Sequence, residues 1–208
     1  MDLNHQFTVA VPVEDAWRIL TDVERIAPCL PGAQLQEVEG DTYRGIVKVK
    51  VGPIQAQFKG QASFLERDDV AHKAVLKGEG RDTTGKGNAS ALITAELTAV
   101  DATSTSVTVS TDLSITGKVA QFGRGAMADI SDKLLAQFVD NLNTLIAEQP
   151  STPAAAAPAA AATEGVRTIE SAEVAPLDLL SAAGSPLLKR AIPVVVVVAA
   201  VLLWLIIR

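Results

Sequence analysis

The chain has 208 residues, a formal net charge of −6 and a pI near 4.9. That length fits one ordinary domain plus extra segments, and the acidic balance gives no electrostatic footprint for nucleic acid. The one cysteine, Cys29, excludes an intramolecular disulfide, as fits a reducing compartment.

Residues 2–11 alternate Leu3, His5, Phe7, Val9 and Val11 with polar or small residues, which predicts a strand ended by Pro12. Val13 to Asp22 reads as a short helix, with Glu14 and Asp15 in the first turn where the dipole favours them. Trp17 and Leu20 face its core side. Pro28, Pro31 and Gly32 break the following turn, and a strand is expected near residue 35. Five strand-like runs follow, over 43–51, 54–65, 70–81, 88–100 and 104–116. Each sets apolar or small side chains opposite polar ones, the mark of an antiparallel sheet with one wet and one dry face.

From Gly117 to Glu148 the period changes. Val119, Phe122, Ala126, Ile130, Leu134, Phe138, Leu142 and Leu145 recur three or four positions apart, on one face of a helix about 45 Å long. Such a stripe needs a broad apolar partner, and the sheet supplies it. Gly123 and Gly125 weaken the first turns. They read either as a close approach to the sheet or as a mouth that opens. The order β-αα-β6-α is the helix-grip arrangement: an α+β fold in which a curved, seven-stranded antiparallel sheet wraps a long C-terminal helix. Its dry face is lined by Ala56, Ala62, Ala74, Ala89, Ala91, Ala95 and Ala99, with Gly60, Gly78 and Gly80 smaller still. Side chains that small do not fill the space under a long helix to normal density, so either the helix sits very close or an apolar cavity is enclosed.

After Gln149 the composition shifts. Residues 150–186 read as a Pro- and Ala-rich flexible linker, with Arg167 against Glu164, Glu170, Glu173 and Asp178. Within it Ile169, Val174, Leu177, Leu179 and Leu180 form a weak apolar cluster, a candidate docking motif. From Ala191 to Ile207 the chain carries neither a charge nor a polar side chain, about 26 Å of helix and the short end of a membrane span. Lys189 and Arg190 precede it. The expectation is a C-terminal single-pass anchor over 187–208 in the inner (cytoplasmic) membrane, with domain 1–149 facing the cytoplasm. The polar N-terminus (MDLNHQFTV) carries no signal-peptide pattern.

Catalytic tools are sparse. His5 and His72 are placed in strands without metal-type spacing, and Cys29 has no CxxC and no nearby basic residue. Gly80–Gly87 nearly matches a phosphate-binding loop. Gly87 stands where Ser or Thr binds magnesium, however, and a strand follows instead of a helix, so the stretch reads as a turn. No metal and no catalytic residue is expected, and the chain reads as a non-enzyme. His72 and Tyr43 are the polar side chains that a cyclase-like enzyme would use.

Several stretches carry a resemblance: CLPGA at Cys29–Ala33, GIVKVKVGPIQAQFKG at Gly45–Gly60, GEGRDTTGKGNA at Gly78–Ala89, and GKVAQFGRG at Gly117–Gly125 with the downstream Phe138. In this order they resemble the carbon monoxide dehydrogenase G-subunit family, a branch of the helix-grip superfamily that includes START-like lipid-transfer domains and polyketide cyclases. The resemblance implies an accessory protein, without recognised catalytic residues, that associates with an aerobic molybdenum-containing carbon monoxide dehydrogenase or a related hydroxylase. Combined with the cavity, leash and anchor, it leads to an expected cargo: a respiratory quinone (menaquinone or ubiquinone), with no covalent cofactor, carried between the lipid bilayer and the enzyme. Phe58, Phe64, Leu76, Ile93, Val109, Phe122, Met127 and Ile130 are the candidate lining residues, with Gly123 and Gly125 as the gate. The rivals are a ligand-free membrane tether for the dehydrogenase and a small cyclase-type enzyme.

Overall fold

The computed structural model describes residues 1–51, 54–85, 87–117, 119–148, 167–169 and 177–178. The alternating runs form β1 (Asp2–Val9), β2 (Ala33–Glu39), β3 (Thr42–Val51), β4 (Ile54–Asp68), β5 (Lys73–Asp82), β6 (Asn88–Asp101) and β7 (Ser104–Ile115). They pair antiparallel in the order β1-β7-β6-β5-β4-β3-β2. Helices α1 (Val13–Leu20) and α2 (Val23–Ile26) and a 3-10 turn (Ala27–Cys29) connect β1 to β2. A second 3-10 turn (Val119–Phe122) leads from β7 into α3 (Gly123–Ala147). This is the expected helix-grip order. Two strands of two residues each fall inside the span expected as linker. β8 (Arg167–Thr168) pairs with β2, and β9 (Leu177–Asp178) runs parallel to β3. Of the weak apolar cluster, Ile169 is half-buried and Leu177 lies in β9, while Val174, Leu179 and Leu180 lie outside the described residues.

α1 follows Pro12, keeps its two acids in the first turn, and buries Ala16, Trp17 and Ile19. The Thr21 hydroxyl donates to the Trp17 carbonyl at 2.7 Å where the helix ends. Its core side therefore includes Trp17, as expected, with Ile19 more deeply buried than Leu20. The Trp17 indole N–H donates to Asp69 Oδ1 at 2.8 Å, so Asp69 is a structural partner and not merely a solvated strand end. That hydrogen bond, followed by the one from Arg67, holds the Asp69 carboxyl below the usual carboxylate range.

α3 begins six residues later than the periodicity implied. Gly117 (φ 87°) and Gly123 (φ 75°) both take left-handed backbone, which interrupts the helical path between them. The helix proper has 25 residues, about 37 Å. It packs against β1 and the 3-10 turn at Ala27–Cys29, and the Asn141 amide donates to the Cys29 carbonyl at 3.0 Å. Close approach does not explain the glycines at its start, because a Cβ at Gly123 or Gly125 meets nothing within 4 Å. The tight approaches lie inside the sheet. A Cβ on Gly60 would stand 1.9 Å from the Glu79 carbonyl oxygen, and one on Gly45 would stand 2.3 Å from that of Gln34.

Two apolar clusters result. The larger gathers Val9, Ala16, Trp17, Ile19, Cys29, Ala74, Leu97, Val107, Phe138 and Leu142, where α1 and the C-terminal half of α3 meet β1, β6 and β7. The smaller gathers Ala56, Val119 and Met127, with Met1, Phe58, Ile115 and Ile130 against them. Among the described residues no helix is long and apolar enough to cross a membrane. The anchor expected over 187–208 lies outside the described residues.

These contacts set three expected outcomes. Leu142→Ala, at a position with no solvent exposure, lowers unfolding free energy by about 2–5 kcal/mol in urea titration. Gly60→Ala destabilises by forcing the β4–β5 backbone apart, whereas Gly125→Ala is neutral or stabilising in the same assay. Below about pH 4 the contribution of the Asp69–Trp17 bond is lost: a depressed carboxyl stabilises above its unfolded pKa and ceases to do so as pH falls through its folded one. Trp17 fluorescence monitors the change, and Asp69→Asn removes the transition.

Candidate ligand-binding site

Strand pairing decides which small residues meet. On the inner face, register sets Leu113, Ala91, Gly78, Ala62 and Tyr43 in one row across five strands. The next row holds Ile115, Ala89, Gly80, Gly60 and Gly45. On the other side, Thr111, Ile93, Leu76 and Phe64 form a parallel row. Two rows of small side chains thus run between larger ones and form a trough. A Cβ built on Gly78 meets nothing within 4 Å, so the space above the trough floor is open. Ala62, Gly78, Ala89 and Ala91 are all half-buried, reached by solvent and not sealed by α3.

The trough lies between the two clusters. Leu76, Ile93 and Leu134 are half-buried and belong to neither. Phe64 and Val109 pack against the larger cluster, while Phe58, Met127 and Ile130 pack in or against the smaller one. The eight candidate lining residues therefore fall into distinct groups. Leu76 and Ile93 form a wall, with Phe64 beside them. Val109 lies in the main core, and Phe58, Met127 and Ile130 close one end. Phe122 ends the 3-10 turn before α3, and its side chain is outside the described set. Gly123 and Gly125 are exposed at the start of α3, next to the smaller cluster.

Tyr43 stands at the β3 end of the floor row and packs edge-on against Phe64 (6.2 Å between centroids, 84°). Burial pushes its phenol pKa up, and Asp41, Glu24 and Asp22 add to the shift. The phenol is therefore neutral, a donor and acceptor on the residue that ends the floor row.

His72 is elsewhere. It lies in the turn between β4 and β5 with φ +49°, not in a strand as expected. Its ring meets Trp17 edge-on at 5.6 Å. Nε2 is 3.3 Å from Glu14 Oε1, but the geometry is not that of a hydrogen bond and the atom is left without one. His5 on β1 reaches Asp132 of α3, Nε2 to Oδ1 3.2 Å. Among the described residues no group of three or more His, Cys, Asp or Glu is placed to hold a metal. The Gly80–Gly87 stretch is the expected turn, in which Asp82 accepts from the Thr84 amide at 2.7 Å. Cys29 is buried, and burial raises its thiol pKa.

A second concavity, about 570 Å³, lies over Arg44, Lys59, Gln61, Glu79, Arg81, Asn88 and Ser90. These side chains alternate with the inward ones, so they occupy the outer face. The cleft is open and charged, which suits neither burial nor an apolar ligand. The inner trough is the better candidate for an apolar ligand. Ala62, Gly78 and Ala91 were visible in the sequence as small dry-face residues, but their joining into one floor depends on register.

The sequence profile of the carbon monoxide dehydrogenase G-subunit (CoxG) family matches residues 6–147. No curated protein sequence matches the chain. Among solved structures, a conserved protein from Geobacillus kaustophilus superposes with a TM-score of 0.65 at 20% identity, covering 71% of this chain and 96% of that one. The Zhui aromatase/cyclase from Streptomyces sp. R1128 gives 0.50 at 15% identity, covering 69% and 92%. Ara h 8.0201 gives 0.50 at 15%, covering 71% and 99%. At such identities the likeness is one of fold, shared with cyclase-like helix-grip proteins. The family match takes in the second half of β1, strands β2 to β7 and all of α3, and the chain belongs to the carbon monoxide dehydrogenase G-subunit (CoxG) family.

Proposed function

We propose that this protein is a non-enzymatic accessory protein that carries a lipophilic quinone, menaquinone or ubiquinone, between the membrane and a carbon monoxide dehydrogenase or related molybdenum hydroxylase. The observation that carries the reading is the open space above Gly78, between two apolar clusters and over a floor of small residues. An isoprenoid tail laid along Ala62, Gly78 and Ala91 against Leu76 and Ile93 gains about 25 cal/mol per Å² of apolar surface removed from water. The same burial offsets the cost of leaving lipid. The Tyr43 hydroxyl at the trough end offers one hydrogen bond to a quinone carbonyl. The family supplies the partner, and residues 187–208 supply the anchor that keeps the domain, on the cytoplasmic side, at the inner membrane. Exposed glycines at the start of α3 form the mouth.

The test is mass spectrometry of the organic extract from full-length protein purified from its native host, followed by quinone titration. Stoichiometric quinone supports the carrier. No lipophilic cargo and no quinone binding leave a tether that recruits the dehydrogenase. Gly78→Leu fills the space and lowers quinone affinity at least about tenfold, a loss of about 1.4 kcal/mol, while the thermal transition is kept. Tyr43→Phe weakens binding by about 0.5–1.5 kcal/mol. His72→Ala, remote from the trough, leaves binding unchanged; a large loss there points instead to a cyclase-type site.

A further inference from the structure

β2 is the long strand at one edge of the sheet, opposite β1, and such an edge is a template for another strand. The chain itself supplies one. Thr168 registers with Glu37 and Arg167 with Val38. The Ile169 amide donates to the Gln36 carbonyl at 2.7 Å, and Gln36 is the residue skipped where the β2–β3 register shifts. Arg167 forms an ion pair with Glu24 of α2. Further along, β3 outruns β2, whose pairing with β3 ends at Ala33–Val47. There Leu177 registers with Val49 and Asp178 with Lys50.

We propose that Arg167–Ile169 and Leu177–Asp178 are the two contact points of a releasable strap, which docks on the β2–β3 edge and sets how far the domain stands from the apolar C-terminal segment. The contacts suit release. Each strand is two residues long, Arg167 and Thr168 are exposed, and the Arg167–Glu24 pair faces solvent. Exposed pairs of this kind hold weakly and are screened by salt.

The consequence is one of length. With the strap docked, the nine residues from Asp178 to Leu187 set an upper limit of about 30 Å. With the strap released, the limit is set from Glu148 and rises to about 130 Å. Docking also brings the chain out beside Lys50. The β3–β4 turn lies at that end of the sheet, where Ala56 enters the smaller cluster that closes the trough. The docked form therefore holds that end of the trough near the membrane, where a ligand is exchanged, and the released form reaches a soluble partner. This use of the strap rests on the carrier reading and on the anchor; docking itself does not.

The experiment uses the full chain in phosphatidylcholine nanodiscs. Hydrogen exchange of the peptide containing Arg167–Ile169 is expected to be at least about tenfold slower than the unstructured rate. Arg167→Glu and Glu24→Arg each bring it to that rate, and the double swap restores protection. In parallel, a donor dye on Gln55→Cys reports energy transfer to an acceptor lipid; buried Cys29 leaves the added thiol as the reactive one. Transfer falls in Arg167→Glu and returns in the swap. Unprotected exchange in the native protein, or a swap that fails to rescue, overturns docking. Exchange that rises while energy transfer stays constant overturns the tether role. Neither readout involves quinone, so a strap that passes in a protein without cargo removes the carrier reading alone.

Discussion

Helix α3 is held by an apolar cluster at each end. At its C-terminal half, Phe138 and Leu142 lock into a core shared with α1, β1, β6 and β7. At its N-terminal half, Met127 and Ile130 meet Ala56, Phe58, Ile115 and Val119. Between these supports the sheet offers the small residues Ala62, Gly78 and Ala91, and a Cβ built on Gly78 meets nothing within 4 Å. Close packing is the rule in protein interiors because each missing contact forfeits dispersion energy. A gap here is therefore a cost borne by the folded chain. It is tolerated because the two end clusters supply the stability, and a ligand that fills it recovers the missing contacts.

Glycine does two opposite things in this sheet. At Gly60 and Gly45 it removes a side chain that would strike the neighbouring strand, so the strands curl tightly. At Gly78 it leaves space that nothing occupies. The curl and the vacancy are neighbours in adjacent rows. Curvature brings the walls of the trough up around its floor, and the missing side chains keep the floor low. The outer face, with Lys59, Gln61, Glu79 and Arg81 in register, remains polar and open to water.

Much of this was legible in the chain. Period-two alternation and the turn residues between runs located the long strands, and the switch to a three-four period located α3. Residue size alone announced that the dry face underfills. The misplacements share one cause: periodicity reports which face a side chain takes, not the local backbone. It ran the helix back through Gly117–Phe122, where left-handed glycines impose a 3-10 turn. It placed His72 in a strand, where the backbone turns at positive φ. Nor does it report that Trp17 reaches Asp69, 52 positions away in the chain.

By itself the sequence determined the order of elements, the wet and dry faces and the family. Each of these follows from local pattern or from motifs carried in the chain. Only the tertiary structure decided that Ala62, Gly78 and Ala91 share a row, that Tyr43 ends it, and that Arg167 and Leu177 return to the edge of a sheet completed some fifty residues earlier. Those relations depend on strand register and chain return. Register is set by packing among residues far apart in sequence, and no single strand carries its partner's identity in its own pattern.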